Sequence, residues 1–139
     1  MNALKLSTNG DINLIDLKEN EYEYDFQAMQ KAIDCNMIDI VHAVNLIPPY
    51  CMVVDDEALL VDKPTVNLVA SYLYGTLEHG QPICGDVLIM KDDITKEGIE
   101  TVGLEDVDIV ELLNLFYNPK VSTGVAELFG KFRKVAGDE

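Results

Sequence analysis

The stretch Glu78–Met90, EHGQPICGDVLIM, decides how the chain is read, because it puts a Glu, a His, a Cys and an Asp beside an apolar run. One reading gathers Glu78, His79, Cys84 and Asp86 into a metal or catalytic site. The other makes the same residues a glycine-flanked loop running into a core strand. The ligand spacing matches no structural zinc pattern. His79 stands next to Gly80 and reads as a solvated turn histidine. Cys84 and Asp86 share strand parity, and a cysteine on a sheet face is commonly a small buried hydrophobe. Asp86 follows Gly85 at a strand start, where a carboxylate accepts from turn amides; contact with a ligand is its second role. Ile83–Met90 is then a strand, with Val87 and Ile89 on one face and Leu88 and Met90 on the other.

Working outward from that strand gives an α+β order. Leu4, Leu6, Ile12 and Leu14 alternate with polar residues around Asn9-Gly10, which predicts a hairpin over 3–17 with a type I′ turn. Tyr22, Tyr24 and Phe26 alternate with acids and lead into a helix; an exposed aromatic strip is the other reading. Phe26, Met29, Gln30 and Ile33 predict a helix over 25–34 with Asp25 as its cap. Strands follow at Met37–Leu46 and Cys51–Val54, with a return strand at Leu59–Val61 after the turn Asp55–Glu57. Pro64 suits a helix start, Val66, Val69, Ala70 and Leu73 keep helical spacing, and Gly75 ends the run. Asp92–Gly103 reads as a polar link. Ile109, Leu112, Leu113 and Phe116 mark a helix ending near Asn118-Pro119, and Ser122 reads as the cap of a last one.

The expected fold is therefore a small, mainly antiparallel sheet with two short helices, followed by a C-terminal helical pair. Residues 1–103 form the α+β domain, and residues 104–139 are a helical extension packed on it. The apolar stripes of that pair make Leu112, Phe116, Phe129 and Phe132 candidate partner-binding residues, either for another protein or for a homodimer through these helices.

The charge narrows the partners. Twenty-five acidic residues face ten basic ones, a net charge of −15, and the excess is spread along the chain. Such a field repels phosphate backbones, so direct nucleic-acid binding is disfavoured and a basic protein partner is favoured. Cys35, Cys51 and Cys84 form no Cys-x-x-Cys pair, which argues against a zinc site or disulfide framework and fits a reducing compartment. The N-terminus lacks a signal-peptide run, and Ile40–Val54 is too short and broken to span a bilayer, so no membrane role and a cytoplasmic location are expected.

Catalytic signatures are sparse. Neither phosphate-cradling glycine motif occurs, and Arg133 is the single arginine. No metal or other cofactor is expected. His42 shares parity with Ile38, Ile40 and Val44, which predicts a histidine on a buried face. A dyad of His42 with Cys51 or Cys84, across adjacent strands, would supply a nucleophile–base pair.

Several pieces of the chain, in order, resemble the uncharacterised bacterial and phage family called domain of unknown function 3846. FQAMQKAI (26–33) is similar to that family's Leu-x-x-Met-Gln helix, and MIDIVHAV (37–44) to the strand after it. MVVDDEALLVDKP (52–64) resembles its acidic-turn hairpin. NLVASYLYG (67–75) and GQPICGDVLIM (80–90) resemble its Asn-led helix and Ile-x-Gly strand. Asp34-Cys35-Asn36 occupies the turn where the family usually has Gly-Gly. The resemblance spans about 26–90 and implies a small α+β protein of phages, plasmids or conjugative elements, with no catalytic residues to carry over. The combined expectation is an accessory protein that acts by binding. The alternatives are a small-molecule or nucleotide site on the loop 75–86, using His79, Gly80, Gly85 and Asp86, and a Cys–His enzyme.

Overall fold

The computed structural model describes residues 1–135. Six strands form one antiparallel sheet: β1 (Asn2–Leu6), β2 (Ile12–Asp16), β3 (Ile38–Val41), β4 (Tyr50–Asp55), β5 (Val87–Thr95) and β6 (Gly98–Val102). The strand order is β2-β1-β5-β4-β3, and β6 pairs with β5. Five α-helices accompany it among the described residues: α1 (Asp25–Ile33), α2 (Leu68–Tyr74), α3 (Thr76–His79), α4 (Asp106–Phe116) and α5 (Pro119–Val135). The fold is α+β, with a C-terminal helical pair as the sequence predicts. No described helix is long and apolar enough to cross a membrane.

The sheet is covered on both faces. Leu4, Leu6, Met52, Val54, Val87 and Ile89 meet Ala70, Leu73, Leu104 and Leu112, which come from α2, α4 and the segment leading into α4. Ala3, Cys51, Val53, Leu88 and Met90 meet Ala28, Met29 and Ile33 of α1. The strict alternation of a strand sends neighbouring residues of β5 into these two cores. α5 lies close against α2: a Cβ on Gly124 would fall 2.0 Å from Tyr72 Cε1, so only glycine admits that ring.

Several local expectations change. The turn after β1 is not type I′. Gly10 alone has positive φ, at 94°, and Ser7 and Asp11 close a three-residue loop of the bulged kind. The cap of α1 is Tyr24, whose N–H donates to Gln27 Oε1 at 2.9 Å, and Asp25 is the first helical residue. Asp34 ends α1 in the left-handed region at φ 53°, a position a glycine adopts without strain. The strand predicted over Met37–Leu46 stops at Val41, so His42 is exposed instead of lying on a buried face. Leu59–Val61 is no return strand: Ala58–Leu60 is a 3-10 turn, and both edges of β4 are taken by β3 and β5. The link at Asp92–Gly103 is instead the outer half of β5 and all of β6, in register from Lys91↔Val102 to Thr95↔Gly98. The cap of α5 is Asn118, whose Oδ1 accepts from Lys120 N–H at 3.0 Å, while Ser122 lies inside the first turn.

The start of α2 also moves, from Pro64 to Leu68, because the chain before it is held against the sheet. Val66 bridges to Cys84, and Asn67 N–H donates to Ile83 O at 2.8 Å. The side chain of Asn67, fully buried, caps α2 by accepting from Ala70 N–H at 3.1 Å. Its amide donates to Leu6 O at 2.9 Å and to Gly85 O at 3.0 Å. One side chain thus ties α2, the end of β1 and the approach to β5. Asn67→Ala loses the cap and takes a donor from one buried and one partly buried carbonyl, an expected loss of about 3 kcal/mol read from urea unfolding. Asn67→Asp keeps the cap oxygen but faces both carbonyls with a charge, and should be at least as unstable.

Candidate functional site

The four polar residues of the opening stretch do not converge. His79 and Gly80 line one concavity with Leu128, Lys131 and Phe132, while Gly85 and Asp86 line another with Thr8, Asp34, Asp55 and Lys63. The segment 75–86 is also not one open loop, since Thr76–His79 is a helical turn and Cys84 is buried. Both ring nitrogens of His79 are engaged. Gln81 N–H donates to Nδ1 at 3.1 Å, so Nε2 carries the proton and donates to Tyr74 O at 3.1 Å. Asp86 accepts from Thr8 N–H at 3.0 Å and pairs with Lys5 Nζ at 3.6 Å. It joins the β1–β2 turn to the start of β5, the structural role its position suggests. Among the described residues, no group of three or more His, Cys, Asp or Glu is arranged to hold a metal.

The thiols are placed for packing. Cys51 is fully buried, and burial together with the carboxylate of Asp92 pushes it up to about 12. Burial also raises Cys84, and it raises Cys35 to about 11. His42 Nε2 lies 2.6 Å from Asp92 Oδ2, so the histidine binds a carboxylate, and the same carboxylate accepts from the thiol of Cys51. A thiol held protonated is a poor nucleophile, and this order of partners inverts the thiol–imidazole–carboxylate arrangement that activates one.

A polar cluster that the sequence reading missed lies where α4 meets the sheet. Asp108, 7% exposed, takes Lys91 Nζ at 2.7 Å and Glu105 N–H at 2.9 Å on one oxygen, and the Tyr50 hydroxyl at 3.1 Å on the other. Tyr50 also reaches Glu111 Oε2 at 3.1 Å. Burial, then Glu111 and Asp108, raise the tyrosine, and the bond to Asp108 raises Lys91. Burial alone would raise Asp108, but Lys91, the Glu105 amide and Tyr50 outweigh it and hold the carboxyl below its ordinary value. The signal in the sequence was parity: Lys91 falls on the same face as Val87 and Ile89. The cluster fastens α4 to β4 and β5.

One surface left open for binding is apolar. A groove of about 440 Å³ runs between α2, the end of α4 and α5, with Ile12 of β2 on one side. Leu68, Val69, Phe116, Val121 and Val125 line it, and Phe129 stands 54% exposed at its rim. Two of the four candidate partner-binding residues, Phe116 and Phe129, meet here. Leu112 does not: it is 1% exposed and belongs to the chain's own core. Phe132 lies against Leu128 and the α3 turn.

The family described as a domain of unknown function, DUF3846, matches residues 1–117. The chain belongs to the DUF3846 family. The match takes in all six strands and α1–α4, well beyond the 26–90 resemblance. α5 begins just past the match. The groove thus joins family residues, such as Leu68 and Phe116, to Val121, Val125 and Phe129 of α5. No curated protein and no solved structure matches the chain at a significant level.

The buried titratable groups set a pH profile. The folded state keeps Cys51 protonated above the pH at which the unfolded thiol, with its ordinary value of 9.0, ionises. Folding therefore holds more protons than unfolding from about pH 9 towards 12, and stability falls as pH rises through that window; Cys35 and Tyr50 act in the same direction. Asp108 acts at the acid end: its contribution is present above its ordinary value of 3.8 and is lost as pH falls through its lower folded value. Urea midpoints measured at pH 7, 9 and 10.5 should drop with pH, and Cys51→Ala should flatten part of that slope.

Proposed function

We propose that the chain is an acidic, non-catalytic binding protein of a phage or other mobile element, which holds a protein partner in the groove between α2, α4 and α5. The observation that carries this reading is the groove itself, with Phe129 left half open over an apolar floor. An apolar trough between helices suits the apolar face of a partner helix. Aromatic side chains of this kind dominate interface energetics. The net charge of −15 favours a basic partner and opposes nucleic acid, and it also opposes a homodimer that would bring two such chains together. The raised thiols and the two engaged histidines favour binding over a Cys–His enzyme. The mobile-element setting rests on the family resemblance, and three free thiols fit a reducing cytoplasm.

The test is retention from a bacterial host lysate on immobilised wild-type chain and on a Phe129→Glu variant, each washed at low and then high salt. The expected result is a basic protein held by the wild type at low salt and lost from the variant, with the variant's melting temperature unchanged. Equal retention by both, or no retained protein, would overturn the reading.

A further inference from the structure

A second surface projects from the other end of β5. Beyond Lys91, the last β5 residue paired with β4, β5 has only β6 as a strand partner, and every described pairing of β6 is with β5. Residues 93–100 are therefore a two-stranded arm, and the outer edge of β6 is open. Isolated two-stranded ribbons are marginal, and open edges are ready templates for another strand.

The two faces of the arm differ. On one, Ile94 and Ile99 sit directly opposite each other, 84% and 67% exposed. On the other, Asp93 and Glu100 are directly opposite, both exposed, and like charges so placed repel. Glu97 lies in the turn. Among the described residues Asp93, Lys96, Glu97 and Glu100 form no ion pair. The free arm thus leaves two large apolar side chains in water and a carboxylate pair with no ion-pair partner, since the nearby ammonium of Lys91, which Asp93 feels, is taken by Asp108 at 2.7 Å. A single kind of occupant answers both faces.

We propose that the outer edge of β6 accepts an extended, basic segment of a partner protein as an added strand. The alternation of a strand sets the sequence of that segment: apolar side chains beside Ile99, and lysine or arginine beside Glu100. A second copy of this chain fits poorly, because pairing two β6 edges brings the Asp93–Glu100 faces together. The surface is separate from the groove at Phe129 and does not depend on it.

The probe is a labelled peptide alternating valine and lysine, long enough to cover the five residues of β6, titrated by fluorescence anisotropy into the full chain. The same peptide with its backbone N-methylated, and a block isomer with the valines and lysines segregated, serve as controls. The alternating peptide should bind. Glu100→Lys and the double variant Ile94→Ser/Ile99→Ser should each weaken binding about tenfold, with melting temperatures near wild type. Phe129→Glu, in the groove, and Glu127→Lys, on α5, should leave it unchanged, so failure here and failure of the groove reading are told apart. Undiminished binding of the N-methylated or block peptide would overturn strand addition, as would no binding at all. Sedimentation that finds a wild-type dimer, made monomeric by Ile94→Ser/Ile99→Ser, would make a second copy the occupant and overturn the proposal.

Discussion

The fold depends on one constraint: Val87–Met90 must be kept from water on both faces while pairing on both edges. All four residues are fully buried, and their neighbours in the sheet are β1 on one side and β4 on the other. Burying each is worth roughly 2 kcal/mol, but only if a layer of helix covers each face. α1 covers Leu88 and Met90; α2 and α4 cover Val87 and Ile89. Neither layer is optional, because strand parity sends alternate residues to opposite sides. The central position of β5 also explains why the chain reaches it late: β1 and β4 flank the slot that β5 fills, and all pairings are antiparallel.

Polar groups near this strand are consumed in holding it. Asp86 fixes the β1–β2 turn to its start, Asn67 joins the approach to β5 to α2 and β1, and Lys91 anchors α4 through Asp108. This network has the composition of a functional site: the buried amide of Asn67, the lowered carboxyl of Asp108 and a lysine on an apolar face. Each is satisfied by the protein itself, and the described residues leave no buried side-chain polar atom without a hydrogen-bond partner. A perturbed group is evidence of function only when something is left for a ligand to complete, and here the chain completes its own network.

The parts of this architecture legible in the sequence are those where hydrophobic period and local turn chemistry agree. The Val87–Met90 half of β5, α1, α4 and the stop at Gly75 belong to that class; Ile83–Asp86, expected in the strand, precede it. The misread parts are those decided by distant partners. β6 looks polar because Glu100 and Thr101 interrupt it, and it is a strand because Asp92–Thr95 pairs with it. Pro64 carries a helix-start signal, but Cys84 and Ile83 hold the chain extended to Asn67. Helical spacing made Leu112, Phe116, Phe129 and Phe132 one set; packing divides it, giving Leu112 to the core and leaving Phe116 and Phe129 on the groove. Period shows that a side is apolar, and only tertiary structure shows what already covers it.

The two open surfaces have different origins. The arm is made of β5 and β6, both within the DUF3846 match. The groove needs α5, which lies beyond that match and fits against α2 through Gly124, where the Tyr72 ring leaves no room for a Cβ. The residues that build the arm all lie within the match, whereas the groove also needs Val121, Val125 and Phe129 beyond it. The arm is thus the surface to compare across the family, and the groove is the surface that depends on the segment after α4.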